Sequence, residues 1–416
     1  MIESTKVGGA PPGSPGRRAR GRIGAVEGLR AVAVAGVIAF HFGLGVPGGF
    51  LGVDLFFVIS GYVITRLLLI EWHRAGSIDW LRFWAHRARR LLPAVLAVLV
   101  VVQLWLRTGA LPELRATTDD QTVAALAYVS NWYAILKDVS YWGALTDSTP
   151  LTHLWSLAVE EQFYLVWPLL LIGVLTLTRS RRVLAAVAGV GAVASYAASA
   201  ALFASEGVDR AYLGTDARSG ALLLGVLAAL ALTRQAPGPD GSWDRPLPRR
   251  LLTAGRSAFV PAVAALAVLW SVAGITRPWL YEGGLVVAGV AAAVVIAYVV
   301  MVPGTWPARL LGSWPMLRIG RLSYSLYLWH WPVHIYAIHT THAAGPLVIA
   351  AELAATLVLA TLSFTLIEKP TRRIVRPMAL ASPLLACAAL VFCGAVLAQP
   401  KPPPEQQTGV VVHGHP

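Results

Sequence analysis

The sequence predicts an all-α, polytopic membrane helix bundle, and three observations predict it. Of 416 residues, 56% are hydrophobic and 13% charged, against roughly 45–50% and 25% in soluble domains. Eleven apolar runs approach the ~20 residues a helix needs to cross hydrocarbon. The basic residues also sort by side. With the N-terminus in the cytoplasm, 26 of the 34 Lys and Arg fall on the inner side, 7 on the outer side, and Arg30 lies inside the first span. This positive-inside bias accounts for the net charge of +13 without a nucleic-acid partner. It makes the lipid bilayer the first partner and leaves the C-terminus outside.

Residues 1–25 are rich in Gly, Pro and Arg and lack the compact apolar core and cleavage site of a secretory signal. They read as a disordered basic cytoplasmic tail. The expected spans are Gly28–Gly45, Phe50–Ile70, Leu91–Leu111, Leu151–Thr178, Val183–Phe203, Ala217–Leu232, Ala258–Ile275, Gly284–Val302, Leu322–Ile338, Pro346–Ile367 and Met378–Leu397. The segment Gln121–Leu136 is short, polar at Asn131 and flanked by Asp119, Asp120 and Asp138, so it reads as an interfacial or re-entrant helix on the outer side. Residues 26–376 therefore form the membrane domain, 377–398 an additional transmembrane helix, and 399–416 an extracytoplasmic disordered tail. The two cysteines, Cys387 and Cys393, share the last span and offer neither a disulfide framework nor a paired zinc motif.

Ionisable side chains inside such spans are expensive, at least ~2.5–3.5 kcal/mol each near the bilayer centre, and mark candidate sites. Arg30 and His41 lie eleven residues apart on one helix face, about 16 Å along the axis. Arg30 reads as a site residue or a snorkelling anchor. His41 reads as a general base or a core histidine bonded to a carbonyl. Asp54 follows in GGFLGVDLFFVISGY. It lies at a depth similar to His41 and is placed either to orient that imidazole or to bond the amides of its own helix start.

The fourth span puts His153, Ser156, Glu160 and Tyr164 on one stripe, with Glu161 about 100° away. Glu160 sits near mid-membrane, as a site residue or in a structural ion pair. Arg87 and Arg90, in FWAHRARRLLP, stand one turn apart at the cytoplasmic mouth, where guanidinium forks suit phosphate; plain positive-inside charge is the alternative. His330, in RLSYSLYLWHWP, reads as an aromatic-packed histidine with a satisfied hydrogen bond or as a substrate contact.

Five segments in order, GLRAVAVAGVIAFH, GGFLGVDLFFVISGYVIT, FWAHRARRLLP, HLWSLAVEEQFYLVWP and SYSLYLWHWP, resemble the acyltransferase type 3 family, from Gly28 to about Pro370. The family comprises integral membrane O-acyltransferases of bacterial envelope glycans. The resemblance implies a ten-helix core in the bacterial cytoplasmic (inner) membrane, to which an eleventh helix is added here. It implies acyl-CoA, acetyl-CoA by default, as cytoplasmic donor, with no metal, and a saccharide or glycoconjugate hydroxyl on the outer side as acceptor. Arg30 and His41 match its Arg-to-His motif, Arg87 and Arg90 its Arg-x-x-Arg motif, and Glu160 and Glu161 its paired glutamates. The fused esterase-like SGNH domain of some relatives is not expected here, which leaves room for a separate extracytoplasmic partner protein.

The resulting expectation has Arg87 and Arg90, helped by Arg30, holding the phosphates of acyl-CoA. His41, with Asp54, then deprotonates a sugar hydroxyl or first takes the acyl group itself. Glu160 and Glu161 shape the acceptor side or pair with the arginines, and His153, Ser156, Tyr164 and His330 contact substrate. The rival reading is a transporter or flippase of an envelope glycoconjugate, which also needs charges along a membrane axis.

Overall fold

The computed structural model describes residues 15–108, 112–143, 148–238, 243–244, 249–341 and 345–372. The expected eleventh span, both cysteines and the C-terminal tail lie outside these residues, as do the first fourteen positions.

Helix α1 (Pro15–His41) starts inside the segment read as a tail. Pro15 suits a first helical turn, and the Arg and Ala residues after it are good helix formers. The chain turns through Gly43 and Gly45, both at positive φ, and enters α2 (Gly52–Ala75) by a short 3-10 turn at Gly49–Leu51. Helix α3 (Trp80–Arg107) is capped by the Asp79 carboxylate, which accepts from the Arg82 amide.

The segment expected to be one interfacial helix is two, α4 (Pro112–Leu126) and α5 (Ser130–Leu136), of 15 and 7 residues. Tyr128 breaks them with φ 55°. The break is held from α6 (Trp155–Thr178), whose Gln162 side chain donates to the Tyr128 carbonyl and to Asn131 Oδ1. Then follow α7 (Arg181–Glu206), the short α8 (Val208–Leu213), α9 (Thr215–Leu232) and α10 (Arg249–Val272). The chain continues through α11 (Leu285–Met301), the short α12 (Trp306–Leu311), α13 (Trp314–Thr341), α14 (Pro346–Leu362) and α15 (Lys369–Thr371). Single π-helical turns precede α11 and follow α14.

Among the described residues, eight helical stretches are long and apolar enough to cross a membrane. Ten of the eleven expected spans coincide with described helices. The two beyond the eight are α10, whose apolar part is Arg256–Val272, and α13, where arginines, histidines and tyrosines dilute the hydropathy. The outward faces carry Val190, Val193, Leu177 and Leu347, side chains at home in acyl chains. Helix packing in such a bundle rests on close backbone approach rather than on hydrophobic burial.

Two pairings set the site. Helix α1 lies along α13, and α2 lies along α9, which in turn packs on α7. The α2–α9 crossing uses glycine on both sides. A Cβ on Gly61 would stand 1.9 Å from the Leu222 carbonyl oxygen, and one on Gly225 2.1 Å from that of Val58. Neither space exists for an alanine. Gly61→Ala should therefore destabilise by about 1–3 kcal/mol through overpacking, while Gly173→Ala, with nothing within 4 Å, should not. Comparing thermal melting of the two purified variants in detergent checks this.

Candidate active site

Among the described residues, three of the bundle's polar assemblies bear on the candidate site. The first joins α2, α3 and α6. Arg87 donates from Nε to Glu161 Oε1 at 3.2 Å and from its terminal nitrogen to Glu160 Oε1 at 3.4 Å. Its guanidinium also stacks on the Tyr164 ring, 3.1 Å from the centroid. Ser60 and Tyr164 both donate to Glu160 Oε1. Glu161 is 3% exposed, so its charge is tolerable only because the guanidinium bridges it. The 100° between the two glutamates is thus spanned by one planar cation. Arg87 is consequently not a free phosphate ligand: two carboxylates already share it.

Beside this node opens a cleft. One cavity of about 70 Å³ is lined by Arg30, Arg87, Arg90, Leu67, Glu160 and Tyr164, among others. A second, of about 50 Å³, is lined by Arg30, Phe56, Phe57, Ser156, Ser323 and Tyr327, among others. Arg30, Ser60, Glu160 and Tyr324 line both, which makes one path from Arg90 to Tyr327. Arg30 is fixed midway by its Nε donating to Ser323 Oγ at 3.1 Å. The Nε of Arg90 is buried and has no hydrogen-bond partner. A guanidinium with an unused donor beside a cleft is the kind of group a phosphate satisfies. Serine and tyrosine hydroxyls along the walls suit an arm containing amide groups. Of the three arginines expected at phosphates, Arg87 and Arg90 with help from Arg30, the glutamates occupy Arg87, while Arg90 and Arg30 face the cleft.

The second assembly is at the far end of α1. His41 Nδ1 is 3.0 Å from His330 Nε2, and His41 Nε2 is 2.9 Å from the Tyr141 hydroxyl. His330 Nδ1 lies 2.6 Å from the Tyr327 carbonyl oxygen. A carbonyl only accepts, so His330 carries its proton on Nδ1 and presents a bare Nε2. His41 must then donate from Nδ1. Its own Nε2 is left as a lone pair, which accepts from Tyr141. Burial lifts the Tyr141 phenol above its ordinary value, so this hydroxyl keeps its proton and remains a donor. Tyr141 itself is tied down by Asp209 of α8, which accepts from its amide and from Ser140. One backbone carbonyl thus fixes the tautomer of two imidazoles in series.

The third assembly corrects the expectation for Asp54. It does not orient His41; the partner of that Nδ1 is His330. Asp54 Oδ2 instead accepts from Arg218 of α9 at 2.8 Å, with both side chains no more than 3% exposed. Arg218 stacks on Tyr212, 4.5 Å from its centroid, and Tyr212 lies stacked on Tyr141 with centroids 6.3 Å apart. The aspartate's reach to His41 is indirect, through two aromatic rings.

The stripe on α6 divides between these assemblies. Tyr164 belongs to the arginine end. Ser156 bonds the Tyr327 hydroxyl, and His153 is fully buried with neither ring nitrogen hydrogen-bonded. His153 lines neither cavity; its ring packs on Tyr327 and His330. Tyr141, Arg218, Tyr327, Ser60 and Ser323 were not singled out from sequence. Ser60, Ser323 and Tyr327 lie within the segments that carry the family resemblance, Arg218 is an arginine at the edge of an apolar run, and Tyr141 carried no signal.

The bundle thus holds a basic cleft and, beyond its end, a part-buried imidazole whose tautomer is fixed. The family model described as an acyltransferase domain matches residues 23–368; the chain belongs to the acyltransferase type 3 family. A Staphylococcus aureus protein named O-acetyltransferase OatA is 36% identical over 352 residues, 84% of this chain and 57% of that protein. The peptidoglycan O-acetyltransferase OatA of Listeria monocytogenes is 33% identical over 361 residues, 86% of this chain and 57% of its own. A putative peptidoglycan O-acetyltransferase, YrhL of Bacillus subtilis, is 36% identical over 354 residues, 84% and 55% respectively. The chain thus spans little more than half the length of these relatives. No solved structure matches.

The Asp54–Arg218 pair is the most completely buried ion pair among the described residues. Asp54→Asn leaves a guanidinium uncompensated in the bundle, which costs about 3–5 kcal/mol. Reduced membrane accumulation and a lowered melting temperature of the detergent-purified variant are the expected outcome.

Proposed function

We propose that this protein transfers an acyl group, acetyl by default, from cytoplasmic acyl-CoA to a hydroxyl of an envelope saccharide on the other face of the membrane. The names of its relatives favour a peptidoglycan sugar. The observation that carries the reading is the His41 tautomer: a bare Nε2 facing a displaceable phenol, on the same helix as Arg30 of the cleft.

Arg90 and Arg30 hold the donor's phosphates, and the donor supplies a thioester at the end of its arm. Ser60, Ser323 and Tyr324 line the arm's route. The acceptor hydroxyl takes the place of the Tyr141 hydroxyl at His41 Nε2 and gives up its proton there. Its oxygen bonds to the thioester carbonyl carbon, the carbon–sulfur bond breaks, and the thiolate leaves with the proton from Nε2. While His41 is protonated, its Nδ1–H donates to the lone pair of His330, which spreads the charge within an otherwise apolar site. This is the supporting role that sequence reasoning gave to Asp54, performed by a neutral partner. Arg87, held by Glu160 and Glu161, organises the cleft wall rather than the donor. On this reading the N-terminus is cytoplasmic, which the distribution of basic residues supports.

General-base assistance is worth ~10²–10⁴-fold, so His41→Ala should lose at least that much kcat at normal protein level. Arg90→Ala should instead raise KM for acyl-CoA by about 10–100-fold, the worth of a charge-assisted hydrogen bond, with a smaller change in kcat. The assay is ester formation from radiolabelled acetyl-CoA and a glycan acceptor by purified protein in proteoliposomes. Acceptor crossing the bilayer with no ester made would favour the flippase reading.

A further inference from the structure

We infer that Tyr327 is the partition between the donor cleft and the imidazole pair, and that it decides whether a thioester is transferred to the acceptor or lost to water. The inference rests on the acyl-transfer reading above. The cleft ends at Tyr327, Ser156 and Phe57, and neither His41 nor His330 lines either cavity. Something must move for a thioester to meet His41 Nε2.

Tyr327 is the residue that touches both sides. Its ring lies 6.4 Å from Phe56 in the cleft wall, and 5.3 Å and 5.6 Å from the rings of His330 and His153. Its hydroxyl donates to the His153 carbonyl at 2.9 Å and accepts from Ser156. These two bonds pin the phenol across the end of the path. Its backbone carbonyl is the acceptor that locks His330. One residue therefore closes the donor route with its side chain and sets the base with its main chain.

The chemistry gives this closure a purpose. Water at His41 Nε2 would be activated as readily as a sugar hydroxyl: its oxygen would bond to the thioester carbonyl, the carbon–sulfur bond would break, and free acid and thiol would leave. A transferase must keep solvent from the thioester until the acceptor is seated. A phenol held by two hydrogen bonds yields to an arriving arm and returns when the arm withdraws. His153, buried with both ring nitrogens unsatisfied, supplies the anchor through its main-chain carbonyl.

The test measures free acetate against ester from acetyl-CoA, in the same proteoliposomes, for wild type, Tyr327→Phe, Tyr327→Ala and Ser156→Ala. Tyr327→Phe keeps the ring and loses both hydroxyl bonds, and Ser156→Ala loses one from the other side. Each should raise the acetate-to-ester ratio by about 2–10-fold, the population shift one hydrogen bond supplies. Tyr327→Ala should raise it further. A ratio equal to wild type in all three, whatever the total rate, overturns the partition and leaves the transferase reading standing. A wild-type protein that makes neither product overturns both. Should Tyr327→Ala fail to accumulate, the two isosteric variants decide alone.

Discussion

The constraint on which this structure depends is that no charge can be left alone in hydrocarbon. An isolated buried ion costs more than the whole marginal stability of a fold of this kind supplies, so the buried carboxylates among the described residues each meet a basic side chain, most often on another helix. Arg218 brings α9 against α2 through Asp54. Arg87 brings α3 against α6 through two glutamates. Glu368, fully buried at the π-turn after α14, is met by Arg372 and by Ser325 of α13. His334 of α13 is paired with Glu352 of α14. These pairs fix the helix register that apolar packing alone would leave loose, because lipid tails are as apolar as leucine.

Within that frame the site uses an economy of protons. A neutral imidazole is cheap to bury compared with a carboxylate, and His330 supplies a lone pair to His41 without adding charge. The direction of the pair is set from a helix carbonyl that has no other choice than to accept. A carboxylate in the same place would have required a second cation in the bundle. Asp54, on α2, has such a cation in Arg218 of α9 and is paired there rather than at His41.

Much of this was legible in the sequence. Ten described spans and the polar axis follow from apolar run lengths and from the side preference of arginine. That Arg87 meets Glu160 and Glu161, with Arg30 beside them, follows from charges that cannot sit apart in a membrane. Which charge meets which was not legible, since partner choice depends on helix neighbours. Asp54 was assigned to His41 because their helices are consecutive, whereas its partner lies on α9, 164 residues away. Tyr141 and Tyr327 were invisible for a different reason: among twelve tyrosines, nothing local separates one that packs from one that holds an imidazole. The break at Tyr128 escaped because it is imposed by Gln162 from another helix.

The central claim is that His41 presents a bare Nε2, and it is open to direct observation. In protein carrying ¹⁵N-labelled histidine, with the His41 signals assigned by their disappearance in His41→Gln, ring-nitrogen shifts distinguish protonated from unprotonated positions. At neutral pH the account requires a protonated Nδ1 and an unprotonated Nε2 on His41, and the same pattern on His330. A His41 protonated on Nε2 with a bare Nδ1 would contradict it.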